Sequence, residues 1–511
     1  MGWPAALGLL LAGTAHAFSL AWPLAWGLPQ GEPQAWLQLA ALATLAWQLQ
    51  RCERPAQAAR SAWLFATAML VATFWWLFIS MHVYGGLPAP LAALAVLLLA
   101  GLLALYYALA AGLYVWLRPA SAWGGVLLFA ACWLLAELAR VRLFTGFPWG
   151  QSGYAHIDGW ARPLAGWLGV HGLSWLAALW AAALAACLGP VRRHRAWALA
   201  GLVVGALGLA ALPAPRGEPL AQAPLSLTLV QGNIAQDEKF MPGTGLADAL
   251  RYYGEQLGQA RGALVVLPET ALPLLPSQMD PLYWKSLLER FASGQQAALI
   301  GLPLGALDQG YTNSVMGLKP GTEQPYRYDK HHLVPFGEFI PLAFDWFVRM
   351  MNIPLGSFAR GPLAQASFEW QGQRLAPNIC YEDLFGEELG ARFRDPQSAP
   401  TVFVNVSNIA WFGNTVAIDQ HLQISRMRAL EFARPMVRAT NTGATVVIDA
   451  QGQVTHALPR HTRGTLEAQV QGTQGLTAYA RWVSVLGLVP WLALGLATCL
   501  AAWWMRRRRA G

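Results

Sequence analysis

The chain has 511 residues, of which 55% are hydrophobic and only 12% charged; its mean hydropathy is +0.35 and its formal net charge +8. That balance excludes an ordinary soluble enzyme and points to a chain that spends much of its length in lipid. The basic surplus does not argue for nucleic acid: no lysine precedes Lys239, and the arginines cluster between apolar runs, where they act as orientation signals.

A hydrocarbon core about 30 Å thick needs about 20 apolar residues in a helix. Runs of this kind are expected at 5–27, 34–50, 61–83, 89–116, 122–139, 163–188 and 196–213, and a last one at 482–505. They predict a polytopic α-helical membrane domain of about eight spans, seven within 1–214 and a closing helix at 481–505. "AHA" at 15–17 has the form of a signal-peptidase site, but no basic stretch precedes it, so the first helix is expected to stay uncleaved. If the helices alternate, Arg51, Arg54 and Arg60, then Arg118, then Arg192, Arg193 and Arg195, then Arg506–Arg509 fall on one side; Arg140 and Arg142 break the pattern. Placing arginine inside puts both termini in the cytoplasm and the intervening polar domain in the opposite compartment. Glu137, an acid at membrane depth, reads equally as a functional group or as an i,i+3 partner of Arg140 at the interface.

From about 221 to 472 the pattern changes. "LSLTLVQGNI" (225–234), "ALVVLPET" (263–270), "AALIGLP" (297–303), "RLAPNICYED" (374–383) and "TVFVNVSN" (401–408) are short apolar strands, each with polar residues at its end. Helical patterns at 280–294 and 419–435 lie among them, and 436–452 reads as a strand pair around Asn441-Thr442-Gly443. Strands interleaved with helices imply a layered α/β sheet. Cys132, Cys187 and Cys499 fall in apolar runs and Cys52 in a cytoplasmic loop, which leaves Cys380 alone in this domain, so it can hold no internal disulfide.

Functional groups of layered α/β sheets gather at the carboxyl ends of strands. Glu269, Lys330 and Cys380 lie at or near such ends. A thiol needs a base to attack as thiolate, and Glu269 is a candidate; acyl transfer builds charge on a carbonyl oxygen, which Lys330 or the backbone N–H after Cys380 could meet. Taken singly, each has a plainer reading, Cys380 as core and Lys330 as a solvated charge. His331, His332 and His421 lack metal-ligand spacing, so neither metal nor cofactor is expected.

In order, "LPET", "YDKHHLVPFGEFIP", "NICYED" and "SNIAWFG…QHLQISRMRALEFARPMVRATNTG" resemble the nitrilase (carbon–nitrogen hydrolase) superfamily. That resemblance implies an αββα sandwich with Glu269 as general base, Lys330 as oxyanion stabiliser and Cys380 as nucleophile; Glu338 matches a supporting acid, and Tyr381 and Glu382 the pair after the cysteine. With the spans, and with "FTGFPWGQSGY" and "VQGNIAQDEKF", the whole chain resembles the apolipoprotein N-acyltransferase family. The implied reaction carries an acyl chain from a phospholipid, through a thioester on Cys380, to the α-amino group of a diacylglyceryl-cysteine lipoprotein at the bacterial inner membrane. Phe240 stands where that family usually has Trp; Ile409, and the pair Ala417-Ile418, also depart from its pattern. Segment 339–358, rich in Phe, Trp and Met, reads as an interfacial lid or as a helix on the domain core; Phe240, Trp346, Phe347, Trp411 and Phe412 are its candidate lipid contacts together with the neighbouring loops. Two alternatives remain: a membrane-tethered nitrilase-type amidase with the same triad, and a transporter or scaffold whose outer domain only binds ligand.

Overall fold

The computed structural model describes residues 2–510 apart from 189–191, 240, 242, 323, 342–343, 345 and 347–356. The chain divides into two units, a helical one (Met1–Phe78, Ala89–Pro215, Leu486–Gly511) and an α/β one (Ile79–Pro88, Arg216–Val485).

In the helical unit, alanines set how closely helices approach. The Ala89–Leu117 helix buries Ala92, Val96, Ala100, Ala104 and Ala108 at four-residue spacing, while Leu91, Leu98, Leu102 and Leu109 point outward and are exposed. Small residues let backbones pack tightly, and an outward leucine face belongs against hydrocarbon, not water. Among the described residues, Ala89–Leu117, Ala122–Thr145 and Arg162–Cys187 are long and apolar enough to cross a membrane; two sharply bent pairs, Pro55–Phe74 with Leu77–Tyr84 and Ala478–Leu486 with Val489–Arg508, raise the number to five. The expectation of eight spans is therefore not met by length and composition. Trp3–Phe18 and Ala35–Gln50 have 16 residues each, about 24 Å of helix against a core of about 30 Å. The expected span 61–83 also ends early: its helix stops at Phe74, and Ile79–Pro88 belongs to the α/β unit.

The strands of the α/β unit are β1 (Glu218–Pro219), β2 (Leu225–Gln231), β3 (Leu264–Val266), β4 (Ala297–Ala306), β5 (Gly310–Leu318), β6 (Tyr326–Asp329), β7 (Phe368–Trp370), β8 (Gln373–Ile379), β9 (Val402–Ser407), β10 (Met436–Thr440), β11 (Val446–Ile448), β12 (Val454–Ala457), β13 (Gly464–Val470) and β14 (Thr473–Gln474). Two six-stranded sheets form, ordered β13-β2-β3-β4-β5-β6 and β12-β11-β10-β9-β8-β7; β1 and β14 pair separately. The sheets face each other across one core: Leu227, Leu229, Val266 and Leu299 from the first pack with Leu375, Val404, Val406 and Val437 from the second. Alternation along the strands turns Val230, Val265, Ala298 and Ile300 to the outer face, where Tyr253, Leu257, Leu287 and Phe291 of the helices Gly245–Gln259 and Pro281–Ser293 cover them. The Val416–Phe432 helix lies on the second sheet, its Phe432 against Phe403 at 5.5 Å between ring centroids. The result is the expected αββα sandwich. β2, β3 and β4 run parallel, as do β8, β9 and β10, so the polar ends of strands from both sheets collect the candidate groups.

Candidate active site

Glu269 follows β3, and its turn lies so close to β4 that a Cβ at Gly301 would sit 2.2 Å from the Pro268 carbonyl oxygen. Lys330 follows β6, its N–H bonded to the Asn313 carbonyl at 2.8 Å. Glu338 closes a turn on Val334, accepting from the Val334 N–H at 2.8 Å through Oε2. These three side chains meet. Lys330 Nζ donates to Glu269 Oε1 at 3.2 Å and to Glu338 Oε1 at 2.9 Å, and Asn313 Nδ2 lies 2.7 Å from each of the same two oxygens. Glu269 Oε2 accepts from the Asn408 N–H at 2.9 Å, and Lys330 is 1% exposed.

Cys380 follows β8 in the left-handed region (φ 51) and opens a short 3-10 helix, Cys380–Leu384. The residue is half-buried against the inter-sheet core, and its thiol lies in the field of both Glu269 and Lys330. Glu382, two positions on, ties this turn to the lysine: Oε2 accepts from the Ile379 N–H and the Tyr328 hydroxyl, and Oε1 from the N–H groups of His331 (2.7 Å) and His332. Tyr381 is buried against Phe385 and His332.

The charges follow from this packing. Burial alone would lower the Lys330 pKa, but the Glu269 and then the Glu338 carboxylates override it and hold the ammonium proton above the ordinary lysine value. Burial alone would raise Glu269; Lys330, the Asn313 hydrogen bond and the charge of Lys239 bring it below its usual range. For Cys380, burial and the Glu269 carboxylate push the thiol up to about 12 against the lowering by Lys330 and Ser407. At neutral pH the resting cluster is thus a carboxylate, an ammonium and a neutral thiol.

Residues 8–183 match the apolipoprotein N-acyltransferase N-terminal domain, and residues 226–479 match the carbon-nitrogen hydrolase domain. An apolipoprotein N-acyltransferase of Verminephrobacter eiseniae is 58% identical over 98% of this chain and 92% of its own length; one of Ralstonia nicotianae is 46% identical over 93% and 90%. The chain belongs to the apolipoprotein N-acyltransferase family. Membership makes it a membrane acyltransferase and does not favour the amidase alternative. A lipoprotein substrate in a lipid setting comes with the family.

Other candidates are placed less centrally. Trp411 and Phe412 are half-buried in the 3-10 helix Ile409–Phe412, with Trp411 edge-on to Tyr84 at 5.7 Å. Trp346 is 61% exposed; Phe240, Phe347 and most of segment 339–358 lie outside the described residues. Sequence reasoning missed Asn313, because the strand that carries it was itself not anticipated. It also missed Lys239, whose fully buried ammonium donates to the Glu269 carbonyl at 3.1 Å and the Thr270 hydroxyl at 2.6 Å. Its one signal in the sequence was being the first lysine of the chain. Glu137 is not the interfacial partner of Arg140 that one reading allowed: both are 1% exposed, Glu137 Oε1 accepts from Ser152, and Arg140 donates to the Trp149 carbonyl.

Proposed function

We propose that Cys380 takes an acyl chain from a phospholipid as a thioester and passes it to the α-amino group of a lipoprotein's diacylglyceryl-cysteine. Glu269 accepts the thiol proton as Sγ attacks the ester carbonyl. The Lys330 ammonium, with the backbone N–H after Cys380, meets the charge that develops on oxygen. The carbon–oxygen bond breaks, and the leaving alkoxide of the lysophospholipid takes the proton back from Glu269. In the second half the amine attacks the thioester, the carbon–sulfur bond breaks, the amine proton passes through Glu269, and the thiol is restored beside an amide. Glu338 and Asn313 keep the ammonium and the base in register.

The observation that carries this reading is the Lys330 ammonium held 2.9–3.2 Å from two buried carboxylates, in the field of a neutral thiol that follows a strand. Splitting the transfer into two steps suits a lone thiol, and both substrates are lipid-anchored. Each buried CH₂ is worth about 0.8 kcal/mol, so extracting a diacyl lipid into water would cost more than a site recovers. The lipid chains therefore enter from the bilayer, and exposed Trp346, with Phe240, Phe347, Trp411 and Phe412, forms the apolar contacts they meet. The arginine clusters support an inner-membrane chain with cytoplasmic termini and its 221–472 domain in the periplasm, between a membrane domain over 1–214 and a closing span at 481–505.

The test is an intact-mass measurement of the purified full chain after incubation with phospholipid. One acyl chain added at Cys380, and discharged by a diacylglyceryl lipopeptide, is the expected result. Turnover with no adduct at any stage, or an unchanged rate in Cys380→Ala, would end the proposal.

A further inference from the structure

The turn that presents Cys380 is held by a second buried cluster, which meets the first only at Cys380. The Cys380 carbonyl oxygen accepts from Asn405 Nδ2 on β9 and from His421 Nε2 on the Val416–Phe432 helix, each at 3.3 Å. His421 Nε2 also lies 3.0 Å from Asp383 Oδ1, three residues further along the same turn. On the other side of the ring, Arg438 Nη2 of β10 lies 3.1 Å from His421 Nδ1, and Nη1 donates to the His421 carbonyl at 3.0 Å and to the Ser425 hydroxyl. Ser425 donates to Asp383 Oδ2 at 2.5 Å, with Arg438 3.5 Å from the same oxygen. Asp383, Asn405, His421, Ser425 and Arg438 are all 1% exposed or less.

The donor inventory settles the ring's protonation. A guanidinium only donates, so His421 Nδ1 must be an acceptor and carries no proton. The single ring proton is then on Nε2, the atom facing both the Cys380 carbonyl and Asp383. Arg438 at the same time supplies a cation whose charge balances Asp383 and does not vary with pH. A residue in the left-handed region persists only when its surroundings hold it there, and the Cys380 carbonyl is where these surroundings grip.

We propose that Arg438 and His421 are positioning residues for the nucleophile. Arg438 occupies Nδ1 and fixes the Nε2–H form of the imidazole; Nε2–H and Asn405 together clamp the carbonyl of Cys380, so the thiol and the N–H groups behind it keep their aim. This rests on the reading of Cys380 as nucleophile.

Replacing the guanidinium exposes the mechanism to pH. In Arg438→Met, Nδ1 can take a proton. The groups bonded to His421 are then Asp383 and the Cys380 carbonyl from the turn, with Ser425 of its own helix holding the other oxygen of Asp383. At low pH an imidazolium replaces the missing cation and still donates through Nε2. When Nδ1 gives up that proton the charge is lost, and a buried, unbalanced Asp383 carboxylate remains beside the thiol. The expected result with phospholipid vesicles and full-length protein is a thioester-formation rate in Arg438→Met that falls on the order of tenfold from its acid to its alkaline plateau, with KM unchanged. That limb is absent both from the starting protein and from the Arg438→Met/His421→Gln double variant. Alkylation of Cys380 by iodoacetamide, followed by peptide mapping, should show the same limb without any substrate. A second pair covers the case in which Arg438→Met does not fold: His421→Gln keeps an N–H donor and should retain several-fold more activity than His421→Leu, with a flat profile. An Arg438→Met profile of unchanged shape, or a His421→Leu rate equal to that of the starting protein, overturns the proposal. Cys380→Ala separates the two levels: if it still turns over, the nucleophile reading itself has failed, whatever Arg438 does.

Discussion

The two units bury polar groups in different ways. In the helical unit, Glu137 Oε1 accepts from the N–H and the hydroxyl of Ser152, at 2.9 and 2.6 Å. Ser152 in turn meets His16 and Trp133, and its carbonyl accepts from Gln38, which also meets His156. Apart from Glu137 and the Arg140 guanidinium, which donates to the Trp149 carbonyl, these links join uncharged groups, and they tie the 149–156 loop to the helices Trp3–Phe18, Ala35–Gln50 and Ala122–Arg142. In the α/β unit the same depth of burial holds full charges, Lys330 between Glu269 and Glu338, with a thiol in their field. A network in which charged groups bond only neutral partners satisfies backbone and side-chain atoms and holds a loop; a cluster of paired ions costs far more to desolvate. Buried polarity alone therefore does not mark a catalytic site. What sets the α/β cluster apart is opposite charge paired beside a thiol.

Substitutions can break that contrast at graded strength. The largest effect is expected at Cys380→Ala, which should abolish acyl capture, with Cys380→Ser nearly as poor because no base here is placed to ionise a hydroxyl; acyl-adduct mass reads both. Next, Glu269→Gln should leave the chain folded but slow thioester formation by about 10²–10⁴-fold, the usual contribution of a positioned base; an unchanged single-turnover rate would exclude Glu269 from that role. On the other side of the comparison, Glu137→Leu should strand the Ser152 N–H and hydroxyl and cost about 1–3 kcal/mol of stability, while Glu137→Gln, which keeps an acceptor, should cost less. A melting experiment in detergent ranks the two, and equal losses would mean that Glu137 is not holding Ser152.

The smallest effect is a slope. Burial lowers Lys239 to about 8 from an ordinary 10.5, so the unfolded chain binds more protons than the folded one between those values and stability should rise with pH across that window. Lys239→Met should flatten it. The Glu269–Lys330 pair adds no slope there. Its Glu269 part is present above the ordinary carboxylate pKa and is lost as pH falls through the lower folded value. Its Lys330 part is present below the ordinary lysine pKa and is lost only as pH rises through the higher folded one.

Much of the α/β unit was legible because burial writes itself into strand composition. The runs at 225–234, 297–303 and 401–408 became β2, β4 and β9, and the strand pair around Asn441–Gly443 became β10 and β11. β5 was not legible: "GYTNSVMGL" mixes glycine, asparagine and serine with apolar residues, because Asn313 and Ser314 serve the site and its flank. The membrane half was overread for a related reason. Apolar composition persists through breaks, so the run at 61–83 looked continuous, although the chain leaves its helix after Phe74 and returns to the α/β unit at Ile79.

By itself the sequence determined that the chain lives in lipid, that a layered sheet domain interrupts its helices, and that one thiol, one lysine and one glutamate stand at strand ends. These follow from local composition and periodicity, which each residue carries wherever it lies. Only the tertiary structure decided that Glu269 and Lys330 share a hydrogen bond 61 residues apart, that Asn313 bridges two acids, and that Arg438 dictates the proton of His421. The acid–lysine–amide pairings arise from strands brought side by side over long separations, and Arg438 meets His421, 17 residues away, only because β10 packs against the Val416–Phe432 helix.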